Sequence, residues 1–288
     1  MKKFTIKLWA VLLLMLVSLQ TFATDNEYGL KDNIQDGVIL HCFDWTYAQI
    51  KEELPNIAAA GFSAVQTSPA HPREPVGAAW YMLYQPYDYK VGENGLGTKE
   101  GLTELCTEAH QYGVKIIVDV VANHTNGSLS YVASFWQGQS LYHDYQGGID
   151  YSNRWQVTHG RIGMWDLKTE DSRVQEKIKE YVAELKSCGV DGIRWDAAKH
   201  IGLPSEGDTF WQNVPDQTMY NYGEILDGTS GDDTVSEKVE VVSQTTGVQL
   251  HPVAGESSAK AMIYNLQGQR VDANYHGVVV CNGRKYVQ

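Results

Sequence analysis

The chain has no excess of positive charge. Lys and Arg number 23 against 35 Asp and Glu, which gives the 288 residues a formal net charge of -12. Nucleic acids and anionic lipid surfaces attract basic proteins, so this balance argues against either as the main partner. A neutral or small partner fits the charge better.

Cysteine is scarce, with four residues in the whole sequence. Cys42, Cys106, Cys188 and Cys281 show no metal-ligand spacing. In an exported chain four cysteines allow three disulfide pairings, and the sequence does not choose among them. Since Cys106 and Cys188 fall in helical patterns, we expect isolated buried thiols.

Long apolar runs are absent apart from one near the start. Lys2, Lys3 and Lys7 precede an apolar run at 8–19, and small residues around 21–23 offer a cleavage point. This pattern is typical of a secretory signal peptide and is too short for a spanning helix. We therefore assign 1–23 to a signal peptide. The mature protein is expected to be exported, secreted or at the cell surface, with no transmembrane segment.

From residue 37 onward, strand and helix patterns alternate. Thr46 and Gln49 predict a capping box at the start of the first helix, and helical patterns also occupy 98–113 and 171–188. Alternating apolar strands and helices indicate a parallel sheet with crossover helices. The predicted strands are 37–43, 62–67, 114–121, 190–195 and 219–223.

Two architectures fit this alternation, an open doubly wound sheet and a closed barrel. Dinucleotide-binding sheets have a glycine-rich turn after the first strand, and the sequence H-C-F-D-W at 41–45 contains no glycine. Polar residues gather at the carboxyl ends of strands three to five, where barrels place catalytic groups. We therefore predict an α/β fold of the (β/α)8 TIM-barrel type. These polar residues are Asp119, Asn123, His124, Arg194, Asp196, His200 and Glu224.

Two carboxylates in this set predict a glycosidase. Arg194 and Asp196 are two residues apart on a strand and share a face, so the guanidinium is expected to lower the pKa of Asp196 and keep it ionised. Glu224 follows Tyr220 and Tyr222, and a dry aromatic pocket would raise its pKa towards that of a general acid. Such a pair, held about 5 to 5.5 Å apart, is what a retaining glycosidase needs.

Three motifs carry a family resemblance. D-V-V-A-N-H at 119–124, G-I-R-W-D-A-A-K-H at 192–200 and G-E-I-L at 223–226 resemble the first three signature regions of the α-amylase family, glycoside hydrolase family 13. The similarity extends over 37–226 and looks closest to the compact bacillus-type bacterial enzymes. It implies an exported hydrolase that cleaves α-1,4-glucosidic bonds in starch- or glycogen-type glucans by retaining double displacement.

The resemblance also implies residue roles. Asp196 matches the nucleophile, Glu224 the acid/base and Arg194 the arginine that orients the nucleophile. Implied calcium ligands are the side chains of Asn123 and Asp166 with the carbonyl oxygens of Thr158 and His200, an all-oxygen set that suits Ca²⁺. Implied substrate contacts are Tyr84, Gln85, His124, Lys199 and His200.

Simpler interpretations of single residues remain open. Asp119 could form a buried ion pair with Arg194, and Asp166 could be a loop carboxylate or a helix cap. His41 has no evident partner in the sequence and is interpreted as a packing or surface residue.

Some expected features of the family have no match. The residues at 125–165 are too many for an ordinary loop and predict a loop-rich excursion over the mouth of the site after strand three. Family members carry a third catalytic Asp in a later His-Asp pair, whereas the one such pair here, His143-Asp144, precedes the nucleophile. We therefore predict a partial barrel at 24–226, with about five βα units and without strands six to eight.

The end of the chain has a different pattern. Residues 227–260 are polar and acidic and are interpreted as a linker, and 261–288 as a small β-rich module with a hairpin turn at Asn282-Gly283. This tail resembles the sorting domains of type IX secretion cargo, which implies that secretion machinery as a partner. The alternative is an ordinary terminal β-module.

Two hypotheses follow for the whole chain. The first is an active α-amylase-like hydrolase whose partner is an α-glucan. The second is a truncated relative that binds glucan or has no function, because it lacks the third catalytic Asp and strands six to eight.

Overall fold

The computed structural model describes residues 26–73, 79–92, 94–145 and 147–225, together with the backbone of four short strands between 263 and 287. The predicted signal peptide (1–23) and linker (227–260) lie outside the described residues. None of the helices in the described part has the length and apolar character needed to cross a membrane.

A five-stranded parallel sheet forms the centre of the fold, with strands in the order β1-β2-β3-β6-β7. Every neighbouring pair in it is parallel, which confirms the predicted sheet. All five predicted strands are present, with ends that differ from the prediction by two residues at most. The seven strands up to residue 223 are β1 (Ile39–Cys42), β2 (Ala64–Thr67), β3 (Lys115–Val121), β4 (His124–Thr125), β5 (Trp165–Asp166), β6 (Gly192–Asp196) and β7 (Tyr220–Gly223).

Helices cross over between these strands and begin at the predicted caps. Thr46 accepts a hydrogen bond from the Gln49 backbone while the Gln49 side chain accepts one from the Thr46 backbone, so the capping box is confirmed. Thr98 and Asp171 cap the second and fourth helices with their side chains, which accept from the backbone N–H groups of Gly101 and Arg173. The helices are α1 (Tyr47–Ala59), α2 (Lys99–Gln111), α3 (Arg154–His159), α4 (Ser172–Ser187) and α5 (Phe210–Asn213).

The two faces of the sheet have different surroundings, as the strand period of two requires. On β3, Ile116, Val118 and Val120 belong to the large core that the sheet shares with the helices. Ile117 points the other way into a small cluster with Ala64 and Ile34. Asp119 lies on this second face, so an apolar lower half and a charged upper end share one side of the sheet.

A long excursion leaves the sheet after β3 and returns through a short ribbon. β4 and β5 pair antiparallel, with His124 opposite Asp166 and Thr125 opposite Trp165. The ribbon closes the neck of the excursion, and α3 lies within it. Its limits agree with the predicted 125–165.

The C-terminal strands form a separate four-stranded antiparallel sheet in the order β11-β10-β8-β9. The strands are β8 (Ile263–Asn265), β9 (Arg270–Val271), β10 (Val278–Cys281) and β11 (Arg284–Val287). β10 and β11 flank the predicted turn, with Cys281 opposite Arg284. β8 and β9 form a second antiparallel pair in this sheet. A relation to sorting domains stays a prediction.

Three cysteines are free and buried, as expected: Cys42, Cys106 and Cys188. Burial raises the pKa of the Cys42 and Cys106 thiols, which keeps them protonated. They act as small apolar core residues.

The Thr46 cap provides a test of the local fold. Thr46→Ala removes the side-chain oxygen that accepts from the Gln49 backbone N–H, which is one of the two bonds of the capping box, and is expected to lower the free energy of unfolding by about 1 kcal/mol. Thr107→Ala is the matched control, because Thr107 is an exposed residue inside α2 and Ala favours helix. Urea denaturation of both variants measures the difference, and equal stability of the two would contradict the role of the cap.

Candidate active site

One guanidinium holds three carboxylates at the carboxyl end of the sheet. Arg194 Nη1 lies 2.8 Å from oxygens of both Asp119 and Asp196, and Nη2 lies 2.5 Å from Glu224 Oε1. The strand register explains the arrangement, because Asp119 on β3 pairs with Arg194 on β6 and Arg194 pairs with Tyr222 on β7. The predicted ion pair between Asp119 and Arg194 is therefore present, and both predicted catalytic carboxylates share its cation.

Burial determines the protonation of this cluster. Burial raises the pKa of Asp196 to about 6 and Glu224 adds to the rise, while Arg194 opposes it. Arg194 thus lowers the pKa of Asp196 as expected, but desolvation outweighs the guanidinium, and the expected net fall in the pKa of Asp196 is wrong. Burial likewise raises the pKa of Asp119 to about 7. Burial also acts to lower the pKa of Arg194, but its three carboxylate neighbours outweigh this and raise it, so Arg194 stays charged.

The surroundings of Glu224 also differ from the prediction. Its side chain keeps 28% of its exposure and is ion-paired with Arg194, rather than lying in a dry aromatic pocket. The Tyr222 hydroxyl donates to Gln66 Oε1. The Glu224 backbone N–H donates to the Trp195 carbonyl, and Glu224 Oε2 accepts from the Ala197 N–H at 3.2 Å. Glu224 is thus fixed to the end of β6 that carries Asp196.

A pocket of roughly 450 Å³ opens over this cluster. Arg194, Asp196 and Glu224 form part of its wall. Tyr151, Ile162 and Met164 come from the excursion, which therefore borders the site as predicted. The remaining lining residues are His41, Phe43, Trp80, Tyr84, His124, Ala197, Lys199 and His200.

Most of the predicted substrate contacts line this pocket. Tyr84 stacks on Phe43, with ring centroids 6.3 Å apart, and its hydroxyl donates to Asp119 Oδ2 at 3.0 Å. The Lys199 ammonium lies 4.8 Å from the centre of the Tyr151 ring. Gln85 is not among the lining residues. It instead accepts a hydrogen bond from Asn126 Nδ2 at 3.4 Å.

Two of the pocket histidines, His124 and His200, are neutral at pH 7, because burial lowers the pKa of each to about 4. His124 Nε2 lies 3.0 Å from the Tyr84 carbonyl oxygen, which only accepts, so Nε2 carries the proton. Nδ1 of His124 is then an acceptor. His200 Nδ1 donates in the same way to the Val157 carbonyl at 2.8 Å.

His41 is a pocket residue that the sequence interpretation missed. It lies on β1 and lines the pocket, and burial together with Arg194 lowers its pKa to about 4. Its position near the carboxyl end of a sheet strand was an available signal, because that edge is where a barrel builds its site. Phe43 lies just beyond the same strand and was missed with it.

Among the predicted calcium ligands, the structure joins Asn123 and Asp166 directly, whereas His200 is linked to the residue before Thr158. Asn123 and Asp166 are both buried, and Asn123 Nδ2 donates to Asp166 Oδ1 at 3.1 Å. Thr158 follows Val157, whose carbonyl binds His200. No group of three or more His, Cys, Asp or Glu side chains in the described ranges is arranged for a metal, so the set relies on amide and carbonyl oxygens. The side chains of Asn123 and Asp166 carry amide and carboxylate oxygens, which are donors that suit a hard cation.

The sequence profile of the family "Alpha amylase, catalytic domain" matches residues 44–280. The chain belongs to the α-amylase family. It is 40% identical over 227 residues to an α-amylase of Clostridium acetobutylicum and 32% identical over 247 residues to one of Butyrivibrio fibrisolvens. Both matches cover 72% of this chain but only 30% and 25% of the relatives, so the chain spans less than a third of their lengths.

Solved α-amylases share the fold. The enzyme of Malbranchea cinnamomea superposes with a TM-score of 0.62 at 25% identity, covering 74% of this chain and 52% of that one. The α-amylase I of Eisenia fetida gives a TM-score of 0.60 at 25% identity, covering 67% and 45%. The five parallel strands of this α-amylase family member and the helices between them are thus part of a TIM-barrel-type catalytic domain.

Arg194 provides a stability test. Since burial raises the pKa values of Asp119 and Asp196, the stability linked to their protonation is present below about pH 4 and is lost as pH rises through 6 to 7. Arg194→Met at pH 7 leaves the carboxylates without their cation and is expected to cost about 3 to 5 kcal/mol of unfolding free energy. The loss should shrink at pH 5, where these carboxyls take up protons.

The matched control for this test is Arg173→Met, which breaks the exposed pair of Arg173 with Asp171 and should cost less than about 1 kcal/mol. Chemical denaturation of both variants at pH 5 and pH 7 gives the comparison. Equal losses for the two variants, or a larger Arg194→Met loss at pH 5, would count against the buried cluster.

Proposed function

We propose that this chain is an exported retaining hydrolase of α-1,4-glucosidic bonds in starch- or glycogen-type glucans. The observation that carries the proposal is that Arg194 forms ion pairs with both Asp196 and Glu224, and that all three residues line one pocket. Two similar enzymes have been solved with sugar ligands, maltohexaose in Eisenia fetida and acarbose in Geobacillus thermoleovorans. The apolar signal at 8–19 supports export.

In the proposed mechanism Asp196 attacks the anomeric carbon of the bound glucose unit. The bond between that carbon and the glycosidic oxygen breaks, and Glu224 gives its proton to the departing oxygen. Glu224 then takes a proton from a water molecule that attacks the same carbon and releases Asp196. Before the first step Glu224 must be protonated, and its ion pair with Arg194 must therefore break. Breaking and re-forming this ion pair is part of the proposed cycle.

The remaining pocket residues hold the sugar in this proposal. Tyr84 and Phe43 present an aromatic wall, and the neutral His124 lies beside them in the lining of the pocket. Lys199 and His200 bind on the leaving-group side. Gln85 takes part only after its bond with Asn126 is exchanged.

Reducing-sugar release from soluble starch tests the chemistry. Asp196→Ala and Glu224→Gln are each expected to lower the rate at least about 1,000-fold, because each removes one of two groups that act as a unit. Tyr131→Ala is the control, since Tyr131 is exposed in a turn of the excursion and does not line the pocket. Retention of activity in Asp196→Ala would disprove the nucleophile assignment.

A second candidate function is glucan binding without hydrolysis. It is favoured by the environment of the one His-Asp pair in the sequence, because His143 binds Asp166 at 2.6 Å and Glu170 at 3.2 Å rather than facing the catalytic carboxylates. Inactivity of the wild-type chain, with starch binding intact, would select this function.

We further propose that Asn123 and Asp166, with the carbonyl oxygens of Thr158 and His200, bind Ca²⁺. The ion would neutralise the buried Asp166 carboxylate and tie the excursion to β6. Burial raises the pKa of Asp166 to about 6, so a bound cation would favour its charged form.

Chelation tests the calcium site. EGTA is expected to lower the thermal midpoint of the calcium-loaded protein by about 5 °C, because a ligand that binds only the folded state stabilises it. Asp166→Asn should remove most of this response. Asp208→Asn, another buried carboxylate, should keep it. An EGTA response that survives in Asp166→Asn would exclude this site.

A further inference from the structure

An exposed tryptophan lies on the excursion, outside the pocket lining. Trp155 on α3 is 54% exposed. One face of the Trp155 ring stacks on the His159 ring, with ring centroids 4.6 Å apart and an angle of 20° between the planes. The Tyr145 ring packs edge-on against Trp155, with ring centroids 5.3 Å apart and an angle of 73° between the planes. The ring is therefore supported from behind and from the side, and its outer face is left to solvent.

The support continues into the buried part of the excursion. His159 packs on His143 with ring centroids 4.2 Å apart. His143 is in turn bound by Asp166 at 2.6 Å and Glu170 at 3.2 Å. This column of three rings holds Trp155 in one orientation, which lowers the entropy cost when a ligand binds to it.

α3 is also anchored to the wall of the catalytic pocket. Arg154 Nη2 donates to the Ile201 carbonyl at 3.0 Å, and Nη1 donates to the Lys199 carbonyl. The same guanidinium is paired with Glu206. Since Lys199 lines the pocket, the position of Trp155 is fixed relative to it. Tyr151, a few residues before Trp155, is an exposed aromatic residue that lines the pocket.

We propose that the outer face of Trp155 is an accessory binding platform for an α-glucan chain, separate from the catalytic pocket. The choice of ligand depends on the proposed function. A flat, fixed indole matches the apolar face of a glucose ring, and the chain's charge of -12 favours a neutral ligand over an anionic one. The platform would hold a polymer while another part of it occupies the pocket.

Retention in native gels that contain soluble starch tests the platform. Each variant is made on an Asp196→Asn background, so that hydrolysis does not alter the gel. Trp155→Ala is expected to raise the apparent dissociation constant about five- to tenfold, which is the loss of one stacking contact. Trp155→Tyr should keep most of the affinity. Tyr131→Ala, which removes a ring of 47% exposure elsewhere on the excursion, should bind like the parent.

Trp155→Leu is the second variant if Trp155→Ala fails to fold, because Leu keeps apolar packing against His159 without a flat face. Unchanged retention in a folded Trp155→Ala or Trp155→Leu variant overturns the platform. The platform is also overturned if a Trp155 variant associates with itself less than the parent in sedimentation velocity runs while its retention by starch is unchanged. That result would identify this face as a protein interface.

The outcome is separable from that of the proposed function. If the wild type releases sugar but the Trp155 variants are retained normally, hydrolysis stands and the platform fails. If the wild type releases no sugar but the Trp155 variants lose retention, the platform stands alone. A parent that starch does not retain at all overturns the platform.

Discussion

The site depends on one constraint, which is that a single guanidinium must serve three carboxylates on three neighbouring strands. Arg194 contacts Asp119 on β3, Asp196 on its own strand and Glu224 after β7. Removing these charges from water is costly, and the burial-driven rise in the pKa values of Asp119 and Asp196 measures that cost. The register of the sheet places these residues side by side, so their contacts do not depend on the choice of side-chain rotamers alone. A shift of one residue between β3 and β6 would turn Asp119 to the opposite face and leave Arg194 with fewer partners.

The same face of the sheet is therefore apolar along one part of its length and ionic along the other. Its lower half is apolar, with Ala64 and Ile117 in the inner cluster, and its upper end is ionic. The chain turns sharply where the two proposed catalytic groups meet, since Ala197 adopts a left-handed conformation with φ of +49° directly after Asp196. A non-glycine residue in that region carries strain, and here the turn directs the Ala197 N–H to Glu224 Oε2. Strand geometry, turn and ion pair together hold the two carboxylates next to each other.

Much of this arrangement can be predicted from the sequence. The parts that cannot be predicted depend on contacts between residues that are far apart in the sequence. Strand and helix positions follow from local periodicity and caps such as Thr46, and the shared face of Arg194 and Asp196 follows from the strand period. The direction of the pKa shift at Asp196 was predicted wrongly, because it depends on the total burial by distant segments rather than on the nearest cation. The position of His41 near the carboxyl end of β1 was an available signal, but its electrostatic partners Arg194 and Glu224 are distant in the sequence and could not be predicted from it. Gln85 was placed in the pocket by its motif, but Asn126 binds its side chain instead.

Two pairs of residues in the excursion link the pocket, the proposed calcium ligand Asp166 and the rings beneath Trp155. His124, which lines the pocket, lies opposite Asp166 in the β4–β5 ribbon. Asp166 in turn binds His143, the innermost ring of the column beneath Trp155. The ribbon is only two residues long on each strand, so its own hydrogen bonds contribute little and the side chains around it must keep it in place. A cation at Asp166 would therefore stabilise more than its own ligands: it would set the position of His124 in the pocket and the rigidity of the exposed ring outside it.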